Sequence, residues 1–140
     1  MDVSSNGWIV LAVMVAILGI GGGAIATTTL QPLGQQIPFT TPISDLSTPI
    51  SGEARHQFNQ GVLAYREGAY ARATDCFTKV LDCEPALAEA LHNRARAQAN
   101  LAKKQDAVAD FIAASDIYDR QGTKSGIDWK NTDLDVLAKL

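Results

Sequence analysis

The first 54 residues contain no lysine or arginine; all twelve basic residues of the 140-residue chain lie from Arg55 onward. Asp2, Asp45 and Glu53 are the only charges in that stretch. A secretory leader normally carries a positive n-region. Its absence weighs against a cleaved signal, although Ala24 to Ala26 (AIA) supplies a small-residue cleavage pattern. Aromatic residues are scarce, at 6%, which argues against a large aromatic core, and 46% hydrophobic residues argue against a disordered polar chain. Cysteine is limited to Cys76 and Cys83, seven residues apart. On one helix that spacing separates them by about 10 Å along the axis, beyond disulfide reach. Reduced thiols and a reducing compartment follow more naturally than an oxidising one.

Several chemistries lack their residues. Neither His56 nor His92 completes a recognisable ligand set with the cysteines, so no metal site is expected. No nucleophile, base and orienting group stand in a known catalytic pattern, and a chain with no enzymatic activity and no cofactor is expected. The run GIGGG at Gly19 to Gly23 lacks the following Lys and Ser or Thr of a phosphate loop. A net charge of −3 with no basic stripe argues against nucleic acid as partner.

What the chain has is a long uncharged run, GWIVLAVMVAILGIGGGAIATTTLQ, from Gly7 to Gln31. About 20 apolar residues cross the hydrocarbon layer of a bilayer as a helix, so residues 1–30 are expected to hold a single transmembrane helix. The rival reading is a signal peptide cut after Ala26, releasing an exported binding module. Basic residues only downstream of the span place the C-terminal part on the cytoplasmic side. Gly19 and Gly23 have the spacing that lets membrane helices pack closely.

Residues 31–52 hold four of the five prolines and are expected to form an extended tether. The alternative is an ordered loop wrapped on the domain, with Ile37, Phe39, Ile43 and Ile50 available to dock.

Beyond the tether the composition turns alanine-rich, charged and helical. A shift of 34 residues aligns Ala54 with Ala88, Asn59 with Asn93, Ala73 with Ala107 and Phe77 with Phe111. Gly61 falls on Ala95 and Val80 on Ala114. Such a period signals stacked supersecondary units. Small residues at Gly61 and Ala73 let two antiparallel helices approach, Gly68 turns the chain between them, and Tyr70 and Phe77 fill the space beside the crossing. Pro85 cannot continue the second helix and is expected to open the third.

Gly61, Gly68, Tyr70, Ala73, Phe77 and Pro85 stand in the order and spacing that resemble a tetratricopeptide repeat. The second copy, with Ala95, Ala107, Phe111 and Ala114, is looser, since Ala102 and Lys104 replace the usual turn glycine and aromatic. The expected fold is all-α: two such helical hairpins over 53–121 (repeats 54–87 and 88–121), then a capping helix in 122–140, all preceded by the transmembrane helix. Helices are expected at 53–67, 69–83, 85–101 and 104–120, and within 125–139. Gly122 is the stop before the last one, with Thr123 or Ser125 as its N-cap. There Ile127, Leu134 and Leu137 share one face, while Lys130, Asp133 and Lys139 are left to solvent.

The resemblance implies a concave binding face made by the first helix of each repeat: Arg55, Phe58, Val62, Tyr65 and Arg66, then Glu89, His92, Arg96 and Asn100. Phe58 and Tyr65 would hold an apolar side chain of a peptide, and Arg66 and Arg96 would meet carboxylates; equally, Phe58 and Tyr65 would pack on the tether. The set that binds chaperone tails in this family is missing, because only Asn93 matches it and Phe58 and Val62 replace its Lys and Asn. The expected function is a membrane-anchored adaptor that holds a protein partner at the membrane surface. The order of span, tether and repeats resembles membrane-anchored tetratricopeptide proteins of cyanobacteria and plastids that assist photosystem I assembly, which implies a thylakoid membrane and a stromal or cytoplasmic domain. A permanent small subunit of a membrane complex is the structural alternative, and self-association stays open.

Overall fold

The structure is a computed structural model that describes residues 37–139. The expected membrane span, with Gly19 and Gly23, and the start of the tether lie outside the described residues. Among the described residues there are five helices and no strand, and no helix is long and apolar enough to cross a membrane. The helices are α1 (Gly52–Arg66), α2 (Tyr70–Cys83), α3 (Ala88–Asn100), α4 (Lys104–Gln121) and α5 (Lys124–Ala138). Each packs on the next in chain order.

Local chemistry explains the boundaries. Ser51 caps α1, its hydroxyl accepting from the Ala54 amide, and Glu53 lies favourably in the first turn. At the other end Gly68 takes the left-handed conformation at φ 74°, which costs glycine little. Around it the Ala69 amide donates to the Ala64 carbonyl and the Gly68 amide to the Tyr65 carbonyl, the paired closure of a Schellman motif. The motif returns 34 residues later with alanine in the strained place: Ala102 has φ 60°, Lys103 N donates to Gln98 O and Ala102 N to Ala99 O.

Pro85 does not open α3. The Leu87 amide donates to the Glu84 carbonyl at 3.1 Å, closing a turn with Pro85 at its second position. The fixed φ of proline suits that position, and α3 begins only at Ala88.

In the first hairpin the Phe77 ring lies directly on Gly61; a Cβ there would stand 2.7 Å from Phe77 Cε1. Ala73 and Phe77 are fully buried, and Phe58 meets Phe77 edge-on with centroids 5.7 Å apart. The second hairpin buries Ala95, Ala107 and Phe111 at the corresponding positions. Arg94 on α3 grips Asp110 on α4 with two hydrogen bonds, of 2.6 and 2.8 Å.

Gly122, left-handed at φ 63°, ends α4, and Thr123 occupies the N-cap of α5 without a side-chain hydrogen bond. Gly126 then lets α5 close onto the Tyr118 ring, where a Cβ would stand 2.2 Å from Cδ1. Along α5 and its C-cap, Leu137 is buried and Lys139 exposed as expected, but two neighbouring positions are exchanged. Asp133 is 3% exposed, whereas Leu134 is 36% exposed. Lys130 pairs with Asp119 at 2.7 Å and is partly covered. The reason is electrostatic: α3 buries a histidine and an arginine that need an acid, and turning Asp133 toward them moves Leu134 outward.

Candidate functional site

The face expected to bind a partner lies under residues 37–51 of the same chain. Residues 37–51 are non-helical, as three prolines dictate, but they are docked as a strap on α3 rather than loose. The strap runs antiparallel to that helix. Asn100, Arg96, Asn93 and Glu89 of α3, then Glu84 just before it, meet Phe39, Thr41, Ile43, Ser47 and Ser51 in that order.

Two asparagines act as clamps. Asn93 Oδ1 accepts from the Ile43 amide and its Nδ2 donates to the Ile43 carbonyl, both at 2.7 Å. Asn100 does the same to Phe39, at 3.0 and 2.7 Å. Each side-chain amide has an oxygen that accepts and an NH2 that donates, which match the two backbone groups of one extended residue. The clamps lie seven residues apart on α3, hence on one face two turns apart, and they grip strap residues four apart. Tyr65 of α1 also donates to the Phe39 carbonyl, at 2.9 Å, and Glu89 Oε1 accepts from the Ser47 amide at 2.9 Å and from its hydroxyl at 2.5 Å.

Apolar anchors also hold the strap, Leu46 and Ile50 packing partly buried against the core. Phe39 and Ile43 are buried, and the Phe39 ring packs on Phe111 with centroids 5.7 Å apart. Thr40, Thr41, Ser44 and Asp45 are exposed. Between the strap turn at Ser44–Pro49 and Arg55 and Asn59 of α1 an open cavity of about 520 Å³ remains.

Behind the clamps sits a buried charge cluster. Asp133 Oδ2 accepts from His92 Nε2 at 2.6 Å and from Arg96 Nε, and Arg96 Nη1 donates 3.0 Å to the Thr41 carbonyl. Burial pushes the His92 pKa down, against the upward pull of its Asp133 hydrogen bond, so the ring is neutral near pH 7 with its proton on Nε2. Burial alone would raise Asp133, but the hydrogen bonds from His92 and Arg96 and the Arg96 charge prevail and hold it below the ordinary carboxylate value. Burial also raises Tyr65 and, with the Glu89 charge, Tyr118. Glu89 Oε2, His92 Nδ1 and the Tyr118 hydroxyl are buried without a protein partner.

Of the expected binding residues, Phe58, Val62, Tyr65, Glu89, His92, Arg96 and Asn100 are brought together but buried, while Arg55 and Arg66 are exposed. The expectation that Arg96 awaits a partner's carboxylate is corrected, because Asp133 and the Thr41 carbonyl already occupy it. Phe58 and Tyr65 belong to the same apolar cluster as Phe39, so the tether alternative describes their surroundings. Sequence reasoning met Asn93 only as an echo of Asn59 and as the one match to an otherwise missing ligand set, and it left Asp133 to solvent, whereas Asp133 is buried. Asn93 could have been added as a second amide on the stripe of Asn100 in an otherwise alanine-rich helix; Asp133 carries no such local signal. Among the described residues no group of three His, Cys, Asp or Glu side chains could hold a metal ion. In chemical terms the arrangement grips an extended backbone. Compared with known proteins, the chain matches no protein family, no curated protein and no solved structure.

Proposed function

We propose that this chain is a single-pass, membrane-anchored adaptor built from two tetratricopeptide hairpins and a capping helix. Its helical domain holds an extended segment of a partner protein at the cytoplasmic or stromal membrane surface, without enzymatic activity of its own. One observation carries the reading: Glu89, Asn93, Arg96 and Asn100, four polar side chains of one helix, all bond to the backbone of a single extended segment. Backbone recognition of this kind suits a groove for peptides. The uncharged run from Gly7 to Gln31 supports the anchor. The order of span, tether and repeats supports service in the assembly of a multi-subunit membrane complex such as photosystem I.

The test is mild-detergent extraction of native membranes, capture of the tagged full-length chain, and its stoichiometry in precursor and mature complexes. Presence in precursors alone supports an assembly adaptor. Equal stoichiometry in the mature complex makes the chain a permanent subunit instead. A mature mass beginning at Thr27, with nothing retained in membranes, makes it an exported module and removes the anchor.

A further inference from the structure

The strap fills the groove with a repeated chemical unit. Pro38 precedes Phe39 and Pro42 precedes Ile43, so a proline followed by an apolar residue recurs after four positions. Each apolar residue of the pair is the one whose amide and carbonyl an asparagine takes. Proline has no N–H to leave unpaired, fixes its own φ and disfavours helical backbone at the residue before it. A segment built this way loses less conformational freedom when it docks. Phe39 and Ile43 are the strap's buried side chains, and Leu46 and Ile50 pack partly buried against the same core. Asp45 is the only charged residue of the strap, and it is exposed.

A permanent core element would be more stable held by apolar side chains, since buried polar groups gain little net free energy even when satisfied. α3 instead directs polar groups at main-chain atoms that every sequence possesses, which makes the groove tolerant of the segment's other side chains. We infer that the strap is a built-in competitor and that the groove accepts in its place an extended partner segment of the pattern proline-apolar-x-x-proline-apolar. In this arrangement Asn100 and Asn93 read the two apolar residues through their backbones, and the sites of Phe39 and Ile43 take their side chains. This rests on the adaptor reading and gives it a ligand class. While the strap is tethered, its effective concentration is of millimolar order, so a partner enters only when it binds tightly or is itself concentrated beside the domain.

The experiment uses the full-length chain in detergent, with a protease site inserted between Thr48 and Pro49, both exposed. Binding of a labelled synthetic peptide with the sequence of residues 37–48 is followed by fluorescence anisotropy before and after cutting. Cutting removes the tether, so affinity is expected to rise at least about tenfold at nanomolar protein. Asn93→Ala in the cut protein, or alanine at both anchor positions of the peptide, is expected to abolish the gain. Equal binding before and after the cut overturns the inference, as does loss of helix content on cutting, which makes the strap part of the core. Dimers in which the segment passes between copies also overturn it, because the occupant is then a second copy. Hydrogen exchange on the uncut wild type is the independent check: the Phe39 and Ile43 amides should open at lower free energy than the α3 amides, and exchange only through global unfolding rejects the proposal. Peptide exchange without any membrane partner sinks the adaptor reading alone. A partner captured equally by chains with and without the Asn93→Ala change sinks this inference alone.

Discussion

Arg96 and Asp133 lie 37 residues apart in sequence and meet in the interior, where the Arg96 guanidinium donates through Nε to Asp133 Oδ2. The same guanidinium donates through Nη1 to the Thr41 carbonyl, so one side chain joins α5 to the strap. Removing the acid leaves a buried cation and a buried histidine without their partner. Asp133→Asn is expected to destabilise the domain by about 3 kcal/mol, the usual scale for breaking a buried pair. Urea denaturation checks this, and an equal loss in Asp119→Asn, a half-exposed acid paired with Lys130, would contradict the assignment.

Asn93 supplies both partners of the Ile43 main chain. Asn93→Ala should cost about 2 kcal/mol, because two buried backbone groups lose their hydrogen bonds. The same change should accelerate exchange of the Ile43 amide more than that of any amide in α2. Uniform acceleration across the domain would mean that the strap does not open separately.

Ala102 holds a left-handed φ of 60° where the first repeat has Gly68 at 74°. An L-residue carries a strain of about 1–2 kcal/mol there that glycine does not. Ala102→Gly is therefore expected to raise stability by roughly 1 kcal/mol, the glycine entropy cost reducing the gain. A lower melting temperature in the variant would refute this account of the turn.

Gly61 has no room for a methyl group, since its Cβ would press on the Phe77 ring at 2.7 Å. Gly61→Ala should destabilise by about 1–3 kcal/mol through overpacking, despite the better helix propensity of alanine. Gly52→Ala, with nothing within 4 Å of the new Cβ, is the control. Thermal unfolding of both variants separates packing from propensity.

The His92 proton gives stability a defined pH dependence. Its folded pKa lies below the ordinary 6.5, so the unfolded chain takes up the proton first. Stability should hold above about pH 6.5 and fall as pH drops from there through the folded value. Asp133, held below 3.8, adds a further loss at lower pH, as its own lowered pKa is crossed. His92→Gln should flatten the first decline, while the second persists through the Arg96 partner of Asp133, as read from urea midpoints across the range. A slope unchanged by the substitution would assign the first titration to another group.

The helices were legible because their signals are local. Gly68 and Gly122 announce the ends of α1 and α4, and the echo of Phe77 in Phe111 announces a second copy of the same packing. Pro85 misled because a proline suits both the first turn of a helix and the second position of a tight turn, and only the Glu84 to Leu87 hydrogen bond distinguishes them. Leu134 misled because periodicity finds an apolar stripe but cannot weigh the demand of two buried polar groups on a neighbouring helix. The concave residues were named from a resemblance that specifies a face, not what covers it.

By itself the sequence determined where the chain turns and which short stretches are helical, since backbone freedom, side-chain size and periodicity act over a few residues. It also set the composition of the uncharged N-terminal run and of the proline-rich stretch after it. The tertiary structure decided what those helices do with their polar residues. Asn100 reaches Phe39 across 61 positions, Asn93 reaches Ile43 across 50, and Asp133 reaches His92 across 41. No local pattern encodes such meetings; they form because the folded helices bury donors and acceptors that must be paired once water is excluded.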